Sequence, residues 1–151
     1  SPWIDGEKAV MASAAALKKP TAVSLETHAQ EWNEIFKGIQ GAVDIVAFQD
    51  GHVAYEQLRS YLEVNKKLAD QYGLVSWTNT ESFDRDMPIK FLPIKFDKLQ
   101  YKLAQAAAVG MEKAITFEFS HFMSPQSAYK QAGHLYQRYT DYYLNSNTQN
   151  L

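Results

Sequence analysis

Three acidic side chains stand where the sequence predicts that β-strands end. Asp50 follows the apolar run 43–48, Glu81 follows the run 74–80, and Glu118 lies late in the alternating run 114–120. Two carboxylic groups held in different environments can divide work between them, one as a proton donor and the other as a base or nucleophile. These three acids are therefore the candidate catalytic residues.

Each acid also has a purely structural interpretation. Asp50 precedes Gly51, and Asp-Gly is ordinary turn chemistry. For Glu81 the structural interpretation is a helix cap or loop carboxylate. For Glu118 it is an acid that pairs with a lysine or arginine.

Further polar and aromatic side chains accompany the acids near the predicted strand ends. Trp77 and Asn79 precede Glu81 at a spacing of two residues, so one strand can present all three on one face. His121 has no second histidine at ligand spacing, so we expect a hydrogen-bonding role and no metal site. Trp3 and Trp77 are candidate stacking platforms for a ligand, but core packing is the default interpretation of either one alone, because aromatic side chains bury large areas. The candidate binding residues are Trp3, Asp5, Gln49, Trp77, Asn79 and His121.

Strand and helix patterns alternate along the chain. Strands are predicted near residues 2–4, 43–49, 74–80 and 114–120, with helical spacing between them, a long loop at 82–93 and a polar tail at 145–151. We expect the strand at 114–120 to be covered on both faces, because helices flank it in sequence. This order predicts an α/β fold with four parallel βα units.

Two architectures fit that order: a doubly wound open sheet, or half of a (β/α)8 barrel at residues 1–144. The barrel is favoured because polar groups gather at strand C-termini, where barrels carry their active sites. In addition, no Gly-rich phosphate-binding loop follows any strand.

Composition excludes several classes of function. The net charge is −2 and the largest basic clusters are lysine pairs, so nucleic-acid binding has no electrostatic support. The absence of cysteine excludes disulfides, thiolate metal sites and a cysteine nucleophile. No run is long enough for a membrane span, and the apolar run 9–17 has the wrong flanking charges for a signal peptide. We expect no cofactor.

Four phrases, in order along the chain, resemble the last four strand ends of an uncharacterised bacterial family of glycoside-hydrolase-like TIM barrels. The phrases are Ser-Pro-Trp-Ile-Asp-Gly at 1–6, Asp-Ile-Val-Ala-Phe-Gln-Asp-Gly at 44–51, Trp-Thr-Asn-Thr-Glu-Ser-Phe at 77–83 and Thr-Phe-Glu-Phe-Ser-His-Phe-Met-Ser-Pro at 116–125. The long connection from Glu7 to Ser24 departs from the family pattern.

The resemblance implies a carbohydrate substrate and hydrolysis of a glycosidic bond. It also implies that the N-terminal half of the barrel is a separate chain or a missing segment. We expect a periplasmic or secreted location. By the resemblance, Glu81 holds the nucleophile position, and the acid comes either from Glu118 or from outside these residues. The alternatives are a non-catalytic half-barrel that binds carbohydrate or mediates assembly, and a small flavodoxin-like binding domain.

Overall fold

The computed structural model describes residues 24–51, 53–86 and 90–148. The predicted first strand, with Trp3 and Asp5, lies outside these residues. The elements in chain order are α1 (Leu25–Ile39), β1 (Ile45–Gln49), α2 (Tyr55–Gln71), β2 (Val75–Glu81), β3 (Phe83–Asp86), β4 (Lys90–Pro93), α3 (Phe96–Ala108), β5 (Ala114–Phe117), α4 (Phe119–Phe122) and α5 (Lys130–Thr148).

Sequence signals account for the ends of α1 and the start of β1. Ser24 caps the helix, because its Oγ accepts a hydrogen bond from the Thr27 backbone N–H. The chain turns after the helix at Gly41, whose φ of +81° is easily adopted by glycine. The apolar face of α1 then packs Trp32 and Phe36 against Val46 and Leu68 in the core.

The main sheet has three strands in the order β1-β2-β5. β1 and β2 are parallel, with Ile45 beside Val75 and Gln49 beside Asn79. Two hydrogen bonds, from the Thr78 N–H to Lys113 O and from the Ser82 N–H to Phe117 O, join β2 to β5. The partners advance by four residues along both strands, which is the pattern of a parallel pair. The prediction of an α/β fold with a parallel sheet is confirmed.

Contacts divide the chain into two compact units. The first comprises residues up to Thr80 together with Lys102–Ile115, and the second comprises Glu81–Tyr101 and residues from Thr116 onward. Hydrophobic clusters of the first unit centre on Trp32 and on Leu58. In the second unit, Phe83 contacts the rings of Phe91 and Phe122.

Several sequence predictions are corrected by the structure. The predicted loop at 82–93 contains an antiparallel hairpin, β3 with β4, because Phe83 and Phe91 pack their rings together. The strand predicted to run to residue 120 ends at Phe117. Residues 145–148, predicted as part of a polar tail, continue the helix α5.

β5 is also more exposed than predicted. We expected burial on both faces, but Ile115 and Phe117 are 44% and 51% exposed. Ile115 and Phe117 share one face of β5, and among the described residues the helices adjacent in sequence leave that face exposed. Within the residues described, no helix is both long and apolar enough to cross a membrane.

Candidate functional site

Glu81 is the last residue of β2 and is 1% exposed. The strand alternates, so Glu81 lies on the same side of β2 as Trp77 and Asn79, while Thr78 and Thr80 lie on the other side. Sequence reasoning predicted an acidic side chain at the end of this strand. The structure places Glu81 there and shows in addition that its side chain is buried.

The strand register adds Gln49 to this side of the sheet. Gln49 of β1 lies directly beside Asn79, and Ala47 lies beside Trp77. The ammonium group of Lys113 lies 5.1 Å from the centre of the Trp77 ring. This cation–π contact already occupies one face of the ring, so a ligand that stacked on that face would have to displace Lys113.

Asp50 lies on the opposite side of the sheet from Gln49. Its N–H donates to Asn79 O, so the β1–β2 ladder continues through Asp50. Alternation then puts Asp50 on the side of Val46 and Phe48, both of which are buried. The structure therefore brings Gln49, Trp77 and Asn79 together on one side and leaves Asp50 on the other.

The partner of Asp50 is Lys102, on α3. Its Nζ lies 3.3 Å from Asp50 Oδ2, and the two side chains are 8% and 2% exposed. The same ammonium lies 5.6 Å from the centre of the Tyr55 ring. Sequence reasoning missed Lys102, because a lysine in a helical pattern normally indicates a solvated face, and nothing local marks this one as buried.

Glu118 caps the one-turn helix α4. Its Oε1 accepts from the His121 N–H at 3.1 Å and also contacts His121 Nδ1. Glu118 and His121, both candidate site residues, are therefore in contact with one another. The Glu118 side chain is 28% exposed. The Ser82 hydroxyl donates to Glu118 O at 3.1 Å, which links this turn to the residue that follows Glu81.

The described residues contain no group of three or more histidine, aspartate or glutamate side chains that could hold a metal ion. The ring of His28, on α1, lies 6.2 Å from the ring of Phe48, near the end of β1. Burial lowers the pKa of His28 from 6.5 to about 4, because the charged imidazolium would lose its hydration.

These features define a class of protein: an α/β protein whose parallel sheet carries a buried carboxylate at the end of a strand. The chain belongs to the family described as "Domain of unknown function (DUF4434)", whose model matches residues 1–129.

One similar solved structure is a crystal structure from Bacteroides thetaiotaomicron described as a "putative alpha-L-fucosidase". Its sequence is 68% identical to this chain, and the TM-score between the two structures is 0.77. The match covers 80% of this chain. The same match covers 38% of that chain, so the present sequence corresponds to a minor part of its length. No curated protein matches this sequence significantly.

Proposed function

We infer that this chain contributes to a glycoside hydrolase that acts on α-L-fucosides, with Glu81 as its principal carboxylate. The observation that carries the proposal is the buried position of Glu81 at the end of β2. The similarity to a structure described as a "putative alpha-L-fucosidase" supports the choice of sugar.

In the proposed mechanism, Glu81 is the nucleophile and forms a covalent bond to the sugar carbon as the leaving oxygen departs. A second carboxylic acid donates a proton to that oxygen, and the same group then activates the water that releases the sugar. Glu118 is the proposed second group within this chain, and an acid from further βα units is the alternative. Gln49 and Asn79 are proposed to hold sugar hydroxyls, Trp77 to form the floor and His121 to lie at the rim.

Asp50 has a weaker claim to the chemistry. It shares a side with the apolar residues of β1 and it pairs with Lys102 in a buried position. We therefore propose that Asp50 supports the carboxyl end of β1 and is not one of the two reacting acids.

The proposed architecture is a (β/α)8 barrel that further βα units complete. The exposed residues Ile115 and Phe117 on the edge strand β5 support this proposal, because an open apolar strand edge favours pairing with another strand.

A non-catalytic carbohydrate-binding protein is the second candidate. It is favoured by the local role of Glu118, whose carboxylate already caps α4 and contacts His121. If that role is the whole function of Glu118, the described residues lack an evident second acid for Glu81.

Assay of the full chain on aryl glycosides separates the two candidates. We expect release of the aryl group from an α-L-fucoside and much slower release from the matching β-D-galactoside and β-D-glucoside. Binding of L-fucose without turnover of any aryl glycoside would favour the carbohydrate-binding protein. The absence of both turnover and L-fucose binding would contradict both candidates.

A further inference from the structure

A small cavity lies between the sheet and the first two helices. Its volume is about 10 Å³, and its lining is mostly apolar, with Trp32, Phe36, Val46 and Phe48 among the residues. Two polar side chains also line it, Asn65 of α2 and Ser76 of β2. They are 1% and 6% exposed, so neither reaches bulk solvent.

The orientation of the Asn65 amide is fixed by its neighbours. Its Nδ2 donates to Tyr61 O at 2.8 Å and lies 3.1 Å from His28 Nε2. A carbonyl can only accept, so the nitrogen of the amide must point toward Tyr61. His28 is neutral near pH 7, because burial lowers its pKa to about 4, so its Nε2 accepts the second amide hydrogen.

This arrangement leaves one acceptor and one hydroxyl without protein partners. Neither Asn65 Oδ1 nor Ser76 Oγ forms a hydrogen bond with any residue that the structure describes. Native proteins seldom leave buried polar atoms unsatisfied, because each such atom loses its hydration without compensation. A direct bond between the two atoms is not present, although both border the same cavity.

We propose that this cavity is a binding site for one water molecule, which donates to Asn65 Oδ1 and accepts from the Ser76 hydroxyl. The volume is at the lower limit for one water, roughly 10–15 Å³. Buried waters are typically held by two to four polar groups, whereas cavities that stay dry are apolar.

The bound water has a consequence for the candidate site. Ser76 immediately precedes Trp77 on β2, so the water ties α2 to the strand that carries Trp77, Asn79 and Glu81. It also completes the bonding of Asn65, which in turn holds the neutral ring of His28. The proposal concerns the support of β2 and does not depend on the reaction that Glu81 performs.

A high-resolution crystal structure of the full chain tests the proposal directly. We expect a density peak within about 2.7–3.2 Å of both Asn65 Oδ1 and Ser76 Oγ. In solution, we expect a water cross-peak to the Asn65 side-chain amide in a protein–water NOE experiment. A cavity without density, or a direct bond between Asn65 Oδ1 and Ser76 Oγ, would overturn the proposal.

Two serine variants provide the matched comparison. Ser76→Ala removes one partner of the water, so we expect the density peak and the NOE cross-peak to weaken or vanish. Ser60→Ala removes a half-buried hydroxyl from α2 outside the cavity lining and should leave both signals unchanged. An undiminished signal in Ser76→Ala would contradict the bridge to Ser76.

Discussion

Lys102 and Asp50 form a buried ion pair that joins α3 to the carboxyl end of β1, with 3.3 Å between Nζ and Oδ2. The pair lies on the side of β1 that carries Val46 and Phe48, and not on the side that carries Gln49. Removal of Lys102 would take away the positive charge that lies 3.3 Å from the buried Asp50 carboxylate, and this cost sets the first prediction.

Lys102→Met should lower the free energy of unfolding of the full chain by about 3–5 kcal/mol, because Asp50 would stay buried. Asp50→Asn combined with Lys102→Met should recover part of that loss. Lys98→Met is the control, since Lys98 pairs with Asp84 at a partly exposed position, where such pairs contribute about 0–1 kcal/mol. Urea unfolding measures all three variants. Equal losses for Lys98→Met and Lys102→Met would show that burial of the pair is unimportant.

His28 should make stability depend on pH. The folded-state pKa of about 4 lies below the ordinary value of 6.5, so the unfolded chain binds a proton at a pH where the folded chain does not. The contribution of neutral His28 is fully present above pH 6.5, is lost progressively as pH falls toward 4, and changes no further below that.

His28→Gln keeps a hydrogen-bond acceptor and removes the titration. Between pH 7 and pH 4 the wild-type full chain should lose about 3 kcal/mol more unfolding free energy than this variant. His134→Gln is the control, because His134 is exposed on α5. Unfolding curves at several pH values give the comparison. If His28→Gln and the wild type lost the same unfolding free energy between pH 7 and pH 4, the assignment of this pH dependence to His28 would be contradicted.

Glu118 is predicted to act first as a helix cap. Glu118→Ala should reduce unfolding free energy by about 1 kcal/mol, the usual cost of a lost N-cap, whereas Glu118→Gln keeps an oxygen that accepts from the His121 N–H. Thermal unfolding and fucoside turnover should be measured on both variants. A stable Glu118→Gln with greatly reduced turnover would instead support Glu118 as the second acid of the proposed reaction.

Ile115 tests the proposed completion of the barrel. If further strands cover β5, Ile115→Lys places a charge inside that interface and should lower the melting temperature of the full chain by several degrees. Leu25→Lys, at an exposed position on α1, is the control with a similar change of side chain. Equal melting temperatures for Ile115→Lys and Leu25→Lys would indicate that β5 is an exposed edge in the full chain as well.

The strands of the main sheet could be predicted from the sequence, because the alternation that marks a strand is visible within a few consecutive residues. The alternation of Trp77, Asn79 and Glu81 predicted that all three lie on one side of β2, and the strand has that arrangement. The burial of Lys102 could not be predicted, since it depends on the packing of α3 beside β1. The hairpin of β3 and β4 was missed because its prolines and mixed charges favour a loop.

Alternation also failed at Glu118. The pattern Thr116, Glu118, Ser120 predicted one continuous strand, but the chain leaves β5 after Phe117 and starts α4 at Phe119. No standard sequence signal marked that helix start, because Glu118 is not one of the preferred N-cap residues. The pattern was assigned to a strand because apolar alternation is the stronger signal over so short a segment.

The central claim is that the Glu81 carboxylate performs the proposed reaction. Glu81→Gln keeps the size of the side chain and removes its charge, so the most direct measurement is the turnover of an aryl α-L-fucoside by this variant. We predict a loss of roughly 10³-fold or more in kcat, with little change in melting temperature or a slight rise. Retained turnover together with a large fall in melting temperature would contradict the account and make Glu81 a structural residue.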